Sequence, residues 1–256
     1  MKVVMSIAGS DSSGGAGIQA DLKTFEAFGV FGTTAVTVMT AQNTQGVDAI
    51  FELPASFVKA QIDSVARDFD IAAVKVGMLY SKEIIQVVRE FIATLDIPVV
   101  LDPVFISKAS SKLLKEDAIE EMKTLFEYAT LLTPNTHEAE ALFGYRFGDT
   151  PSLKTIQEQK CPVLVKNHLL ELPSGMVSID QLFFRHQKRV FQTPFIESKN
   201  THGTGCSYSS AIAANLALGH TLEESIEISK NFIANAITHA PNIGHGAGPI
   251  NHKAGV

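Results

Sequence analysis

Only two of the 256 residues are cysteines, Cys161 and Cys206, and neither sits in a Cys-x-x-Cys or Cys/His ligand spacing. A disulfide framework and a structural zinc site are therefore excluded, and a reducing cytosol is the expected compartment. Basic residues are in deficit, with 21 Lys and Arg against 27 Asp and Glu and a formal net charge of -6, which argues against nucleic acid as a partner. No stretch approaches the ~18 consecutive apolar residues of a membrane span, and the apolar start Met1–Gly9 is too short for a secretion signal. A cytoplasmic protein without a membrane partner is the expectation. The chain also lacks Gly-x-x-x-x-Gly-Lys-Ser/Thr, which excludes the commonest phosphate-loop design but not phosphoryl transfer itself. Internal repeats and low-complexity tracts are missing too. With 45% hydrophobic and 19% charged residues, the chain can bury one large core and is read as a single domain over residues 1–256.

What is present is a rhythm of short β-rich runs and longer amphipathic ones. Val3–Ile7, Thr33–Met39, Ala72–Val76, Val99–Asp102, Leu131–Thr133 and Val163–Lys166 read as strands. Ile18–Phe28, Ser56–Phe69, Glu83–Leu95 and Glu116–Tyr128 read as helices between them. Alternation of this kind predicts an α/β fold, a mostly parallel sheet with helices on both faces and a ligand crevice beyond the carboxyl ends of the strands. Gln181–Arg185 and Arg189–Thr193 look like an antiparallel hairpin, so Leu169–Lys199 reads as a sheet extension or a flap.

The densest chemical signal is Asn200-Thr-His-Gly-Thr-Gly-Cys206 in front of a long helical run. Gly203 and Gly205 flank Thr204, so several backbone N–H groups can converge without side-chain obstruction, and the helix dipole adds partial positive charge. This is an anion site with a cysteine beside it whose thiolate the same field favours. A plain glycine-rich helix cap with an inert thiol fits the spacing as well.

Other candidates cluster at strand ends. Asp11, in the first glycine loop, and Asp21 can accept hydrogen bonds from a small polar ligand; as a turn residue and a first-turn carboxylate they would need no ligand. Asn135 and Glu138 open a helix with two oxygen side chains suited to Mg²⁺ held partly through water, or to helix capping. Lys166 at a strand end can meet phosphate oxygens. His137 and His202 sit beside these sites, and Cys161 reads as packing.

Seven ordered blocks then carry a resemblance: Ala8–Thr24, Thr40–Val47, Lys75–Leu79, Leu101–Val104, Thr133–Ala139, Asn200–Cys206 and Gly244–His252. Together they resemble the hydroxymethylpyrimidine and phosphomethylpyrimidine kinases of thiamine biosynthesis, within the ribokinase superfamily, nearly end to end. The resemblance implies a three-layer α/β/α ribokinase-like fold with a small antiparallel extension. It implies ATP with Mg²⁺, a small-molecule pyrimidine alcohol phosphorylated twice, and a homodimer. It assigns Gly9, Asp21, Gln42 and Val104 to the pyrimidine pocket and Cys206 to the catalytic base, with the Gly203–Cys206 amides, those of Thr204 and Gly205 among them, as the hole for the transferring phosphate. Asn135 and Glu138 become the Mg²⁺-linked pair, Asp102 lies near the triphosphate, and Lys166, Lys230 and Gly246 in the Gly244–Gly248 loop fall on the nucleotide side.

Two stretches depart from the family pattern. Val165-Lys-Asn-His-Leu169 replaces Val-Lys-Gly-Gly-His, and Phe105-Ile-Ser-Lys-Ala-Ser110 replaces Met-x-x-Lys-Ser-Gly, so the nucleotide loop is expected to be reshaped. Three alternatives stay open from sequence: a pyridoxal or pyridoxine kinase, an acyl transferase with Cys206 as nucleophile, and a nucleotide sensor without turnover.

Overall fold

The computed structural model describes residues 1–104, 118–149 and 153–254. Among the described residues, nine strands form one sheet in the order β3-β2-β1-β4-β5-β6-β7-β8-β9. They are β1 (Val3–Asp11), β2 (Phe31–Asn43), β3 (Gly46–Glu52), β4 (Ile71–Val76), β5 (Val99–Leu101), β6 (Leu131–Leu132), β7 (Val163–Leu172), β8 (Gly175–Phe184) and β9 (Gln187–Pro194). The six strands from β2 to β7 in that order pair in parallel, while β3 and the β8–β9 hairpin add antiparallel margins at opposite edges.

Side-chain alternation along the strands sorts the core into two layers. Met5, Ile7, Val74 and Val76 face α2 (Ala55–Asp68) and α3 (Lys82–Ile92), which contribute Val58, Ile62, Ile84, Ile85, Val88 and Ile92 at helical spacing. Val4 and Ala73 point the other way, toward α1 (Gly17–Ala27), α7 (Thr204–Leu218) and α8 (Leu222–Thr238), which bring Phe25, Ile212 and Ile226. The result is the expected three-layer α/β/α architecture with an antiparallel extension. Helix α7 is buried almost along its whole length, so it is apolar and small-residue rich all round instead of striped.

Three segments differ most from the sequence expectation. The helix expected over Glu116–Tyr128 is α4 (Ala118–Lys123) among the described residues, followed by a 3₁₀ turn at Phe126–Tyr128. Thr124 Oγ1 donates to Glu121 O at 2.6 Å and the following amides bond three residues back, which tightens the chain out of α geometry. Leu169–Lys199 is largely sheet, with Arg185 and His186 forming the hairpin tip at positive φ (48° and 65°). Strand β3 had no counterpart in the sequence reading; its Gly46–Glu52 segment pairs antiparallel with β2. The departure at Phe105–Ser110 lies outside the described residues.

Candidate active site

The carboxyl ends of β1, β2, β4, β5 and β7 and the starts of α5 (Thr136–Phe143) and α7 surround a cleft of about 160 Å³. That is close to the ~150 Å³ of a cavity that takes up benzene, so the cleft suits one substituted ring and a nucleotide would extend beyond it.

The first wall is the β1–α1 loop, organised by Asp11. Its Oδ1 accepts from the Ser13 amide and hydroxyl at 2.8 and 2.7 Å; its Oδ2 accepts from the Gly15 and Ala16 amides at 3.1 and 2.8 Å and lies 2.7 Å from His202 Nε2. Burial opposes the carboxylate charge, but the bonds from His202, Ser13 and Ala16 outweigh it and bring Asp11 down to about 2. An ionised Asp11 only accepts, so His202 carries its proton on Nε2. The neighbouring Gln42 side chain, 3.4 Å from that nitrogen, therefore avoids setting two N–H donors against each other when its amide oxygen is turned toward His202. Its NH₂ then faces Thr40 Oγ1, which itself donates to Ser10 O at 3.0 Å. The Gln42 backbone is clamped as well, with Ser12 Oγ bonded to both its carbonyl and its amide at 2.8 Å.

The second wall is the start of α7. Gly203 caps the helix at φ 81°, and a Cβ there would stand 1.8 Å from Gly15 O. Only glycine lets the two loops touch at this point. Among the described residues, the Gly205 and Cys206 amides donate to no protein acceptor, and both residues line the cleft. Two unsatisfied N–H groups at a helix N-terminus facing a cavity make an anion site.

Asp102, beyond β5, forms the floor. Its Oδ1 accepts from Lys166 Nζ at 2.5 Å and Thr133 Oγ1 at 2.9 Å, a buried ion pair directly below the α7 amides. On the third side Asn135 and Glu138 form a reciprocal capping box, Asn135 N donating to Glu138 Oε2 at 2.8 Å and Glu138 N to Asn135 Oδ1 at 2.9 Å. Both residues nevertheless line the cleft.

Residues 11–251 match the family described as phosphomethylpyrimidine kinase. The chain belongs to the phosphomethylpyrimidine kinase family. It is 44% identical to the hydroxymethylpyrimidine/phosphomethylpyrimidine kinase of Haemophilus influenzae over 99% of this chain and 97% of that one. Among solved structures it is similar to the phosphomethylpyrimidine kinase of Clostridium difficile, with TM-score 0.78, 38% identity and coverage of 93% of this chain and 100% of that one. It is also similar to Bacillus subtilis pyridoxal kinase in an ADP complex, with TM-score 0.87, 31% identity and coverage of 99% and 98%.

Against the family expectation, Gly9, Gln42, Val104, Asp102, Asn135, Glu138, Lys166, Gly203, Thr204, Gly205 and Cys206 all line this one cleft. Three expected residues do not. Asp21 lies beneath the floor, fully buried, with its oxygens taken by Lys75, Ser6 and Ser210. Lys230 is buried against Asp180 at 2.8 Å behind the rim. Gly246 turns its amide to Thr44 Oγ1 at 3.1 Å, within a loop that also closes over Thr44 through the His245 and Ala247 amides. Of the two histidines, His137 is exposed outside the cleft and His202 is inside it.

In the altered loop the chain bulges out of the β7–β8 pairing between Val165 and His168. Asn167 takes the left-handed conformation (φ 67°) that Asn tolerates better than most residues. Its amide donates to Asp180 Oδ1 at 2.9 Å, and His168 stacks on Phe147. Cys206 departs from expectation. Burial pushes its thiol up, Lys75 pulls it back down, Asp21 and Asp102 add to the rise, and the Gly17 amide hydrogen bond lowers it. The helix-start field therefore does not leave a resting thiolate. Lys75 itself was visible in the sequence only as part of a motif; a lysine inside the apolar run Ala72-Ala-Val-Lys-Val76 was the signal of a buried counter-charge.

Proposed function

We propose that this kinase transfers the γ-phosphoryl group of ATP to the hydroxymethyl oxygen of 4-amino-5-hydroxymethyl-2-methylpyrimidine, and then a second one to the resulting monophosphate. The observation that carries this reading is the pair of unpartnered Gly205 and Cys206 amides facing the same small cleft as the Gln42 amide. Gln42 can pair with an exocyclic amine and the adjacent ring nitrogen, while the α7 amides and Lys166 hold transferring phosphate oxygens. Cys206 stands beside that hole as the group that takes the alcohol's proton. Because burial favours its neutral form, turnover should climb with pH as the thiolate fraction grows. Most of the acceleration comes from alignment and from stabilising phosphate charge.

The donor set fits Mg²⁺ in part: Asn135 and Glu138 supply hard oxygens but too few for a protein-only cage, which suits an ion completed by water and phosphate. There it would neutralise phosphate charge. Asn135 and Glu138 orient that side of the cleft through their capping box, and Asp102 keeps Lys166 in place.

The B. subtilis pyridoxal kinase neighbour, with its TM-score of 0.87, favours a second reading in which a pyridoxal vitamer is the alcohol. A homodimer is also part of the reading. The exposed cross-strand pair Met39 and Phe51 on the β2–β3 edge supports it. A coupled ADP-release assay with hydroxymethylpyrimidine, its monophosphate, pyridoxine and pyridoxal tests the substrate. Release strongest with the two pyrimidines is expected; release confined to pyridoxal and pyridoxine would overturn the assignment.

A further inference from the structure

The geometry points to a control on Cys206 that lies one layer below the cleft: the buried Lys75–Asp21 ion pair sets how readily the sulfur gives up its proton, the two charges acting in opposite directions. Lys75 leaves β4 on the α1/α7 side, since its neighbours Val74 and Val76 face the other core layer. Its Nζ meets both Asp21 oxygens, at 3.0 and 2.9 Å, and both side chains are 0% exposed. Asp21 is locked further by the hydroxyls of Ser6 on β1 and Ser210 on α7. Ser210 follows Cys206 by four residues, one helical turn, so the two share a face of α7. Cys206 thus stands on the helix face that carries the pair, with the fully buried Lys75 just behind the wall of the cleft that Cys206 lines. Room for the ammonium depends on Gly77, where a Cβ would stand 2.8 Å from Nζ.

Stability alone gives little reason for such a pair, because an apolar replacement of similar volume commonly folds as well. Its position under the reacting group gives one. The Lys75 cation favours the thiolate; the Asp21 carboxylate favours the thiol. The other groups facing this point are Asp102, itself paired with Lys166, and the Gly17 amide hydrogen; His202 on the rim is paired with Asp11.

The test is the pH dependence of Cys206 alkylation by iodoacetamide, followed by peptide mass spectrometry, which separates it from the buried Cys161. In this step the thiol proton goes to solvent, the sulfur forms a bond to the acetamide carbon, and iodide leaves. Lys75→Met should slow alkylation at pH 8 by about tenfold or more, the ratio of one pKa unit, and move its midpoint up. Asp21→Asn should speed it and move the midpoint down. Both variants break the same ion pair, so packing damage would move them together, and a common direction or no movement would overturn the proposal. If Lys75→Met does not fold, the double variant Lys75→Met/Asp21→Asn is compared with Asp21→Asn. Removing the lysine from that neutral-aspartate background should again slow alkylation, and equal rates would overturn the proposal.

The consequence for turnover rests on Cys206 being the base proposed above, and kcat measured in parallel separates the two ideas. Alkylation that shifts while kcat does not would remove the base role and leave the charge control standing. Unresponsive alkylation would remove the charge control alone.

Discussion

Two alanine substitutions two residues apart should have opposite signatures, because Gly203 and Gly205 serve different purposes. At Gly205 a Cβ would make only ordinary contacts, 3.5 Å from Lys166 Nζ and 3.9 Å from Asp102 Oδ2, and the backbone is already helical. Gly205→Ala should therefore stabilise the fold by about 0.4–1 kcal/mol through the unfolded chain, raising Tm by roughly 1–4 °C for a domain of this size. The added methyl nevertheless points toward Lys166 and Asp102 and occupies the space in front of the α7 amides. Losing one anion-hole contact costs about 10²–10³ in kcat, so a fall of at least about a hundredfold is expected with the Tm unchanged or higher. At Gly203 the left-handed backbone costs roughly 1–2 kcal/mol with a Cβ, and that Cβ would stand 1.8 Å from Gly15 O, so the loops must part. Gly203→Ala should lower Tm by at least about 5 °C and lose activity with it. Differential scanning fluorimetry and the ADP-release assay read both. A Gly205→Ala enzyme with wild-type kcat would refute the placement of phosphate at these amides, however stable it proved.

Gln42→Ala should raise KM for the pyrimidine by roughly 10–100-fold, the equivalent of two lost hydrogen bonds, while KM for ATP changes little; equal effects on both would remove Gln42 from the substrate side. Asp180→Asn weakens the acceptor shared by Lys230, Tyr208 and the Asn167 amide. It should destabilise by about 3 kcal/mol or more and raise KM for ATP, whereas Tyr208→Phe should cost about 1 kcal/mol; urea titrations with initial rates test both, and a stable Asp180→Asn protein would contradict the buried-charge account. Burial, aided by the Lys23 charge, lowers His252 from 6.5 to about 4. The fold thus holds a neutral imidazole, its contribution is complete above pH 6.5, and it is lost as pH falls toward 4, by about 3 kcal/mol at most. His252→Gln should flatten urea stability across that window, and an unchanged slope would show that other groups carry it.

Much of the framework could be read from the residues alone. Period-two and helical patterns located the parallel strands and the helices between them because burial on two faces leaves long apolar runs. Strand β3 escaped because an edge strand with one half-exposed face needs no such run. In the site, glycines and polar residues just after strands were informative, since close approach and ligand contact restrict those positions sharply. Asp21, Lys230 and Gly246 could not be placed this way. Their identities announce charge or flexibility, but which partner absorbs each is decided by residues 54, 50 and 202 positions away. The Cys206 thiol failed for a related reason: the helix field is local and visible in sequence, whereas desolvation and the sign of the nearest buried charge are not.

The bond between Asp11 and His202 joins points 191 residues apart. A ribosome making roughly 5–20 residues per second needs roughly 10–40 s to bring the second of them into being. Until then the first glycine loop has no mate, and the Asp11 carboxylate lacks the neighbour that helps hold it. Nascent or prematurely terminated chains that stop short of His202 thus lack one wall of the cleft, and quality control in the cell meets a half-built pocket long before it can meet a complete one.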